Sequence, residues 1–351
     1  MKKILVSELK PGMRLAKDVL LKDGRLLLLA NFVIKQRYIT KLTLLGIDYV
    51  YIDENEEVPH EEIKEEKVYS EAFNSIKSVL TSVRDGKNVD VPLVKNTVNE
   101  IVHKVINNEL VFMQLTGIRD IDNDTFLHSV DVCIYSVITG KIIGLSINDL
   151  TDLGISALLH DIGKCKIPLE ILTKPDKLTN EEFQVMRLHT KYGYEILCNT
   201  PGLNKRIANV AWQHHERWDG NGYPSGLKNT QIDTFSRIVT AADIYDALTA
   251  NRVYRRRCMP HEAAEYVMKN SSIFIDPEIA NIFINNISVY PEGTVVLLNT
   301  GEVARVVECR SKNSIKPIVE VITRKEGPPV LTPYSLDLAN NTGTSIIDIL
   351  S

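Results

Sequence analysis

The spacing of apolar residues along the chain changes twice. Up to residue 54, short apolar runs are broken by Pro11-Gly12 and Asp23-Gly24. Both dipeptides are turn signals, and Asp-Gly between apolar runs predicts a hairpin. The stretch IKQRYITKLTLLGIDYVYID then predicts a short helix, a stop at Gly46 and a closing strand. Residues 1–54 are therefore expected to form a small α+β module. From about residue 67 to 290 the period becomes helical. Val94, Val98, Ile101 and Val105 recur at helical spacing and mark one buried face, with His103 off that stripe. Thr179 and Glu182 form a capping-box pattern at the start of another helix. No period-2 alternation interrupts this region, so it is expected to be all-helical. After Pro291 the alternation returns: GTVVLLNTGEVARVV predicts two strands joined at Asn299-Thr300-Gly301, and KPIVEVITRK predicts a third.

These changes divide the chain into an accessory module (1–54), a linker with leading helices (55–119), a helical domain (120–290) and a β-rich extension (291–351). The fold class is mainly α. The acidic run ENEEVPHEEIKEE is expected to be a solvated linker or helix start. A hydrophobic fraction of 44% and a charged fraction of 25% fit an ordinary globular protein. A net charge of −4 argues against a general DNA- or RNA-binding surface. No apolar run reads as long enough to span a bilayer. The five cysteines form no CxxC pair, which argues against a zinc ribbon and fits reduced thiols in the cytoplasm.

The chemistry gathers in the helical domain. Five of eight histidines, His128, His160, His189, His214 and His215, lie between residues 128 and 215. His160 abuts Asp161, and His214-His215 precede Glu216. Asp124 and His128 stand four apart, on one helical face. Asp243 sits in the apolar stretch IVTAADIYDAL, where a carboxylate is costly to bury unless it is paired or bound to metal. This set of imidazoles and carboxylates suits borderline and hard divalent ions, and it is too large for one ion. Two ions bridged by Asp161 would use it, lowering the pKa of a bridging water and clamping phosphoryl oxygens. Lys164 is placed to neutralise a phosphate oxygen, or equally to serve a helix C-terminus.

The loop WDGNGYPSGL begins at the ligands and cannot continue a helix. Trp218 and Tyr223 are expected to stack on a base, and Gly222 to allow close backbone approach. Asp246 falls near the face of Asp243. Among Arg252, Arg255, Arg256 and Arg257, Arg252 follows the ligand-bearing helix most closely, and an arginine fork suits phosphate.

In order and spacing, HDIGK, KIPLEILTKPDKLTNEEF, HTKYGYEIL, QHHERWDGNGYPSGL and ADIYDALTANRVYR resemble the HD-GYP domain, a branch of the HD phosphohydrolases, over about residues 120–290. The resemblance implies an HD-type helical bundle that hydrolyses cyclic-di-GMP to pGpG and GMP with two or three divalent ions, Fe or Mn. It implies one ion at His128, His160, Asp161 and Asp243, and another at Asp161, His189, His214 and His215. It further implies that Lys164 neutralises phosphate and that Gly222, Tyr223, Asp246, Arg252 and Arg255 lie near the dinucleotide. Asp124 stands where trinuclear members often have glutamate, which leaves the third ion open. Val253 replaces a usual proline, and Arg255 a common lysine. Two alternatives stay open: a weakly catalytic dinucleotide sensor, or an HD phosphohydrolase for another nucleotide such as cyclic GMP-AMP, (p)ppGpp or a dNTP. A homodimer or signalling partner reached through the N-terminal module is likewise open.

Overall fold

The computed structural model describes residues 1–10, 12–17, 19–20, 26–28, 34, 39, 42, 47–53, 60–107, 124–250, 258–287, 290, 292–308, 316–323, 333–341 and 343–349. The N-terminal unit contains β1 (Lys2–Leu5), β2 (Arg14–Leu15), β3 (Val19–Leu20), β4 (Leu26–Leu28) and β5 (Tyr49–Asp53). Strand β5 lies between β1 and β2, antiparallel to both, and β3 pairs with β4. This unit has its own core of Ile4, Val6, Leu15, Ile34, Leu42, Val50 and Ile52. The Asp23-Gly24 turn and most of the helix expected before Gly46 lie outside the described residues.

The helices follow as α1 (His60–Arg84), α2 (Val91–Asn107), α3 (Asp124–Ile143), α4 (Ile147–Leu158), the single turn α5 (Leu169–Leu172), α6 (Asn180–Cys198), α7 (Lys205–Gln213), α8 (Thr234–Thr249), α9 (Pro260–Lys269) and α10 (Pro277–Asn286). The acidic run is the beginning of α1 from His60 onward. Local capping sets several helix starts. Ser146 accepts from the Asp149 amide at 3.2 Å, Thr179 and Glu182 exchange bonds as the sequence predicts, and Asp276 accepts from Glu278 and Ile279. Val94, Val98, Ile101 and Val105 of α2 are buried in the main core, while His103 is exposed. Tyr69 Oη of α1 donates to Asp131 Oδ1 of α3 at 2.7 Å, so the leading helices are tied into the bundle.

Helix α3 differs from the sequence expectation. Its window Phe126–Ile143 is long and apolar enough to cross a membrane, but 72% of it is buried inside the protein. A helix apolar on all sides is what the centre of a bundle requires.

The C-terminal sheet comprises β6 (Val295–Leu298), β7 (Val303–Glu308), β8 (Ile318–Thr323), β9 (Tyr334–Asp337) and β10 (Ile346–Ile349). Among the described residues it is antiparallel throughout, in the order β10-β6-β7-β8-β9. Val296, Leu298, Ala304, Val306, Val319 and Val321 join the core of the helices. Strands β9 and β10 lack the Val/Ile alternation of the other three and were not expected from sequence.

Candidate metal centre

The site is assembled by the ends and inner faces of α3, α4, α6, α7 and α8. His160 and Asp161 follow the last turn of α4, where the chain tightens into a 3-10 turn, Ile162–Lys166. Gly163 makes this turn possible. A Cβ there would stand 1.9 Å from the His189 carbonyl oxygen and 2.4 Å from the Gly193 nitrogen. The turn thus rests on the backbone of α6 and brings the HD pair to His189.

Two groups of candidate ligands result. Asp161, His189, His214 and His215 each offer an atom within 4.8 Å of the others, and so do His128, His160 and Asp243. Asp161 stands between the groups. Its Oδ2 lies 3.4 Å from His160 Nε2 and 3.9 Å from His128 Nε2. Its Oδ1 lies 3.5 Å from His189 Nε2 and 3.7 Å from His214 Nε2. His128 Nε2 is 3.2 Å from Asp243 Oδ1.

The outer nitrogens fix the tautomers. Nδ1 of His160 lies 2.7 Å from the Ala157 carbonyl, and that of His189 lies 2.7 Å from the Met186 carbonyl. Nδ1 of His214 is 3.1 Å from the carbonyls of Val210 and Ala211. A carbonyl only accepts, so each Nδ1 carries the proton and each Nε2 presents a lone pair to the centre. His160 Nε2 and Asp161 Oδ1 are buried with no hydrogen-bond partner in the protein. Orphaned buried acceptors are costly, and a cation would satisfy His160 Nε2 and Asp161 Oδ1. The residues therefore fit divalent metal ions of the N/O-preferring kind.

Charge in the cluster is polarised. Burial holds His189, His214 and His215 below the usual imidazole range, His215 at about 3. These rings stay neutral, as ligands must. Burial also opposes the charge on His128, but hydrogen bonds with Asp243 and Asp246 outweigh it and raise the pKa to about 10. Burial works to raise both Asp161 and Asp243. Lys164 and His160 more than offset this for Asp161, and His128 does so for Asp243, so both carboxyls fall below the ordinary range. The Lys164 ammonium is ion-paired with Asp161 Oδ2.

Several residues fall where the sequence reading did not put them. Asp246 is 1% exposed, and its Oδ2 lies 2.5 Å from His128 Nδ1. It stands behind His128, on the ring nitrogen opposite the one that meets Asp243. Gly222 packs against the chain itself: an added Cβ would be 2.3 Å from the Arg217 nitrogen and 2.6 Å from the His215 carbonyl oxygen. Its lack of a side chain serves the fold of the loop over His215. Trp218, half-buried, lines a crevice with Glu216, Ile232, Arg237 and Phe274 and does not join the cluster. Tyr223 does: its ring stacks on His215 at 4.8 Å, inclined 29°, and its amide donates to the His215 carbonyl at 3.1 Å. Asp124 begins α3, but its side chain, together with Arg252 and Arg255, lies outside the described residues.

Glu216 has a role that the sequence reading missed. It is buried, and its carboxylate accepts from the amides of Ser225 at 2.6 Å and Leu227 at 3.0 Å. It pins the far side of the GYP loop. The signal was present as an acid directly after the ligand pair.

Comparison with known proteins agrees with this geometry. The HD-domain profile matches residues 132–279, and the profile of the KOW domain associated with HD domains matches 295–351. A cyclic di-GMP phosphodiesterase of Pseudomonas aeruginosa is 31% identical over 252 residues, covering 72% of this chain and 61% of the relative. A cyclic di-GMP phosphodiesterase of Thermotoga maritima is 42% identical over 124 residues, 35% of this chain and 33% of the relative. The chain thus spans less than two thirds of the length of either. An HDG"Y"P protein of Bdellovibrio bacteriovorus has a similar fold, with a TM-score of 0.56, 18% identity, and coverage of 80% of this chain and 97% of its own. Residues 132–279 match the HD-domain family, and His160, Asp161, His189, His214, His215 and Asp243 of the cluster lie inside that match. Its HDIGK and HHERWDGNGYP runs resemble those of the HD-GYP branch.

Proposed function

We propose that the chain is a metal-dependent phosphodiesterase that hydrolyses cyclic-di-GMP to pGpG and/or GMP. The observation that carries this reading is the division of Asp161, with one oxygen toward His128 and His160 and the other toward His189 and His214. The names of the P. aeruginosa and T. maritima relatives support the substrate.

On this reading His128, His160, Asp161 and Asp243 hold one ion, and Asp161, His189, His214 and His215 hold a second. Asp124 is a ligand to a third where one binds. Bound divalent ions would activate water at neutral pH and draw charge from the phosphoryl oxygens. The nitrogen and oxygen ligand set suits iron or manganese. Lys164, already beside Asp161, offsets negative charge that builds on the phosphate. Tyr223 is held by its stack on His215 as the wall of the cleft. Arg252 and Arg255 complete the dinucleotide contacts. A reducing cytoplasmic setting suits the cysteine spacing of the sequence, which has no CxxC pair.

Chain purified without air and loaded with Fe(II) or Mn(II) is expected to convert cyclic-di-GMP to pGpG or GMP, with cyclic GMP-AMP assayed beside it. Full metal occupancy without turnover of either would overturn the reading.

A further inference from the structure

The face of α6 beside the GYP loop carries two residues that take no part in the ligand cluster. Phe183 is 46% exposed, and its ring stands edge-on to Tyr223 at 6.4 Å. Arg187, one turn further along, holds its guanidinium 4.4 Å from the centre of the same tyrosine ring. Tyr223 stacks in turn on His215, so Phe183 is two ring-to-ring steps from a metal-ligand imidazole. Arg187 donates to the neutral Gln184 Oε1 at 3.3 Å. Among the described residues no carboxylate lies within ion-pair distance of it. An exposed aromatic and a guanidinium with no carboxylate at ion-pair distance, one turn apart beside Tyr223, form a recognisable pair of contacts. An aromatic face takes any base by stacking, and a guanidinium fork takes a phosphodiester.

We propose that Phe183 and Arg187 form a subsite for the half of the cyclic dinucleotide that is not being cleaved, with a purine base on Phe183 and the second phosphodiester on Arg187. The inference rests on the cyclic-dinucleotide reading above. Beyond the phosphate being cleaved, a cyclic dinucleotide carries a second phosphate and two bases, and this face of α6 offers a cation and an aromatic ring beside Tyr223.

The test uses the metal-loaded full chain and two diesters: cyclic-di-GMP, and bis(p-nitrophenyl) phosphate, which has neither a purine nor a second phosphate. Phe183→Ala and Arg187→Ala are each expected to raise KM for cyclic-di-GMP about tenfold, the loss typical of one stacked base or one charged contact. They should leave kcat and the turnover of bis(p-nitrophenyl) phosphate unchanged. Phe183→Trp should restore KM, and its added indole emission should be quenched by cyclic-di-GMP. Unchanged KM in both alanine variants overturns the subsite. So does an equal loss on both diesters, which would mean that Tyr223 had been displaced. Indole quenching without turnover by the wild type would retain the subsite and reject the phosphodiesterase reading. Turnover without quenching would do the reverse.

Discussion

Asp246 and His128, from helices α8 and α3, meet at 2.5 Å between Oδ2 and Nδ1, behind the ligand cluster. The contact turns His128 Nε2 toward Asp243 and Asp161 and raises the basicity of the ring. Carboxylates placed behind a metal-bound histidine typically contribute about 10- to 100-fold in metal affinity. Asp246→Ala is therefore expected to weaken one ion by about that factor, measured by competition with a chromophoric chelator. Asp246→Asn, which still accepts from Nδ1–H, should lose less. Equal affinity in wild type and the alanine variant would show that His128 is oriented by other contacts.

Asp161 and His160 are neighbours with unequal reach. Asp161 faces both ligand groups, whereas His160 belongs to one. Asp161→Ala is expected to abolish turnover and to leave the purified protein with neither ion at stoichiometric occupancy. His160→Ala should lower the content by about one ion per chain. Elemental analysis of anaerobically purified protein separates the cases, and full metal content in Asp161→Ala would refute the bridge.

Gly163 is the tightest point between the HD turn and α6. A methyl group 1.9 Å from the His189 carbonyl forces the turn and helix apart, and overpacking of this kind commonly costs about 1–3 kcal/mol. Gly163→Ala is expected to lower the melting temperature of the metal-free chain by several degrees, since roughly 1 kcal/mol moves Tm by a few degrees in domains of this size. It should also reduce metal occupancy, because His189 moves with the backbone.

The helical period, the capping box and the adjacent-ligand pairs were legible because each is a local pattern. What could not be read was the direction in which a side chain points once helices cross. Asp243 and Asp246 sit three apart on α8, yet one enters the cluster and the other turns behind His128, a distinction set by where α3 crosses. Trp218 and Phe183 show the same limit. The tryptophan in the loop lines a crevice with Arg237 and Phe274 away from the cluster, while the phenylalanine in a regular helix is exposed beside Tyr223. Strands β9 and β10 were missed because YSLD and IIDI are too short to establish a period, and pairing with β8 and β6 defines them.

Glu216 pins the GYP loop through the amides of Ser225 and Leu227. Glu216→Ala leaves these donors without their acceptor and should free the loop while sparing the ligands. The expected result is faster amide exchange at residues 223–227, a raised KM for cyclic-di-GMP, and metal content close to wild type. Glu216→Gln, which keeps one acceptor oxygen, should fall between. Wild-type exchange in the alanine variant would show that the loop is held elsewhere.

Two histidines give the metal-free protein opposite pH limbs. His128 titrates at about 10 when folded, against an ordinary 6.5. Between these values the folded chain keeps a proton that the unfolded chain releases, so stability falls as pH rises through that window. His215 titrates at about 3 when folded. Between 3 and 6.5 the unfolded chain takes up a proton that the folded one refuses, so stability falls as pH drops, and the lowered His189 and His214 act in the same sense. Tm of the chelator-stripped protein is thus expected to peak near pH 6.5 and to decline on both sides in thermal melts from pH 4 to pH 9.5. Replacing His128 with glutamine should flatten the alkaline limb alone. Metal added at pH 8 has to displace the His128 proton, so loading should acidify a weakly buffered solution in wild type and do so less in His128→Gln. A Tm that climbs steadily to pH 9 in the stripped wild type would show that His128 is neutral in the metal-free cluster.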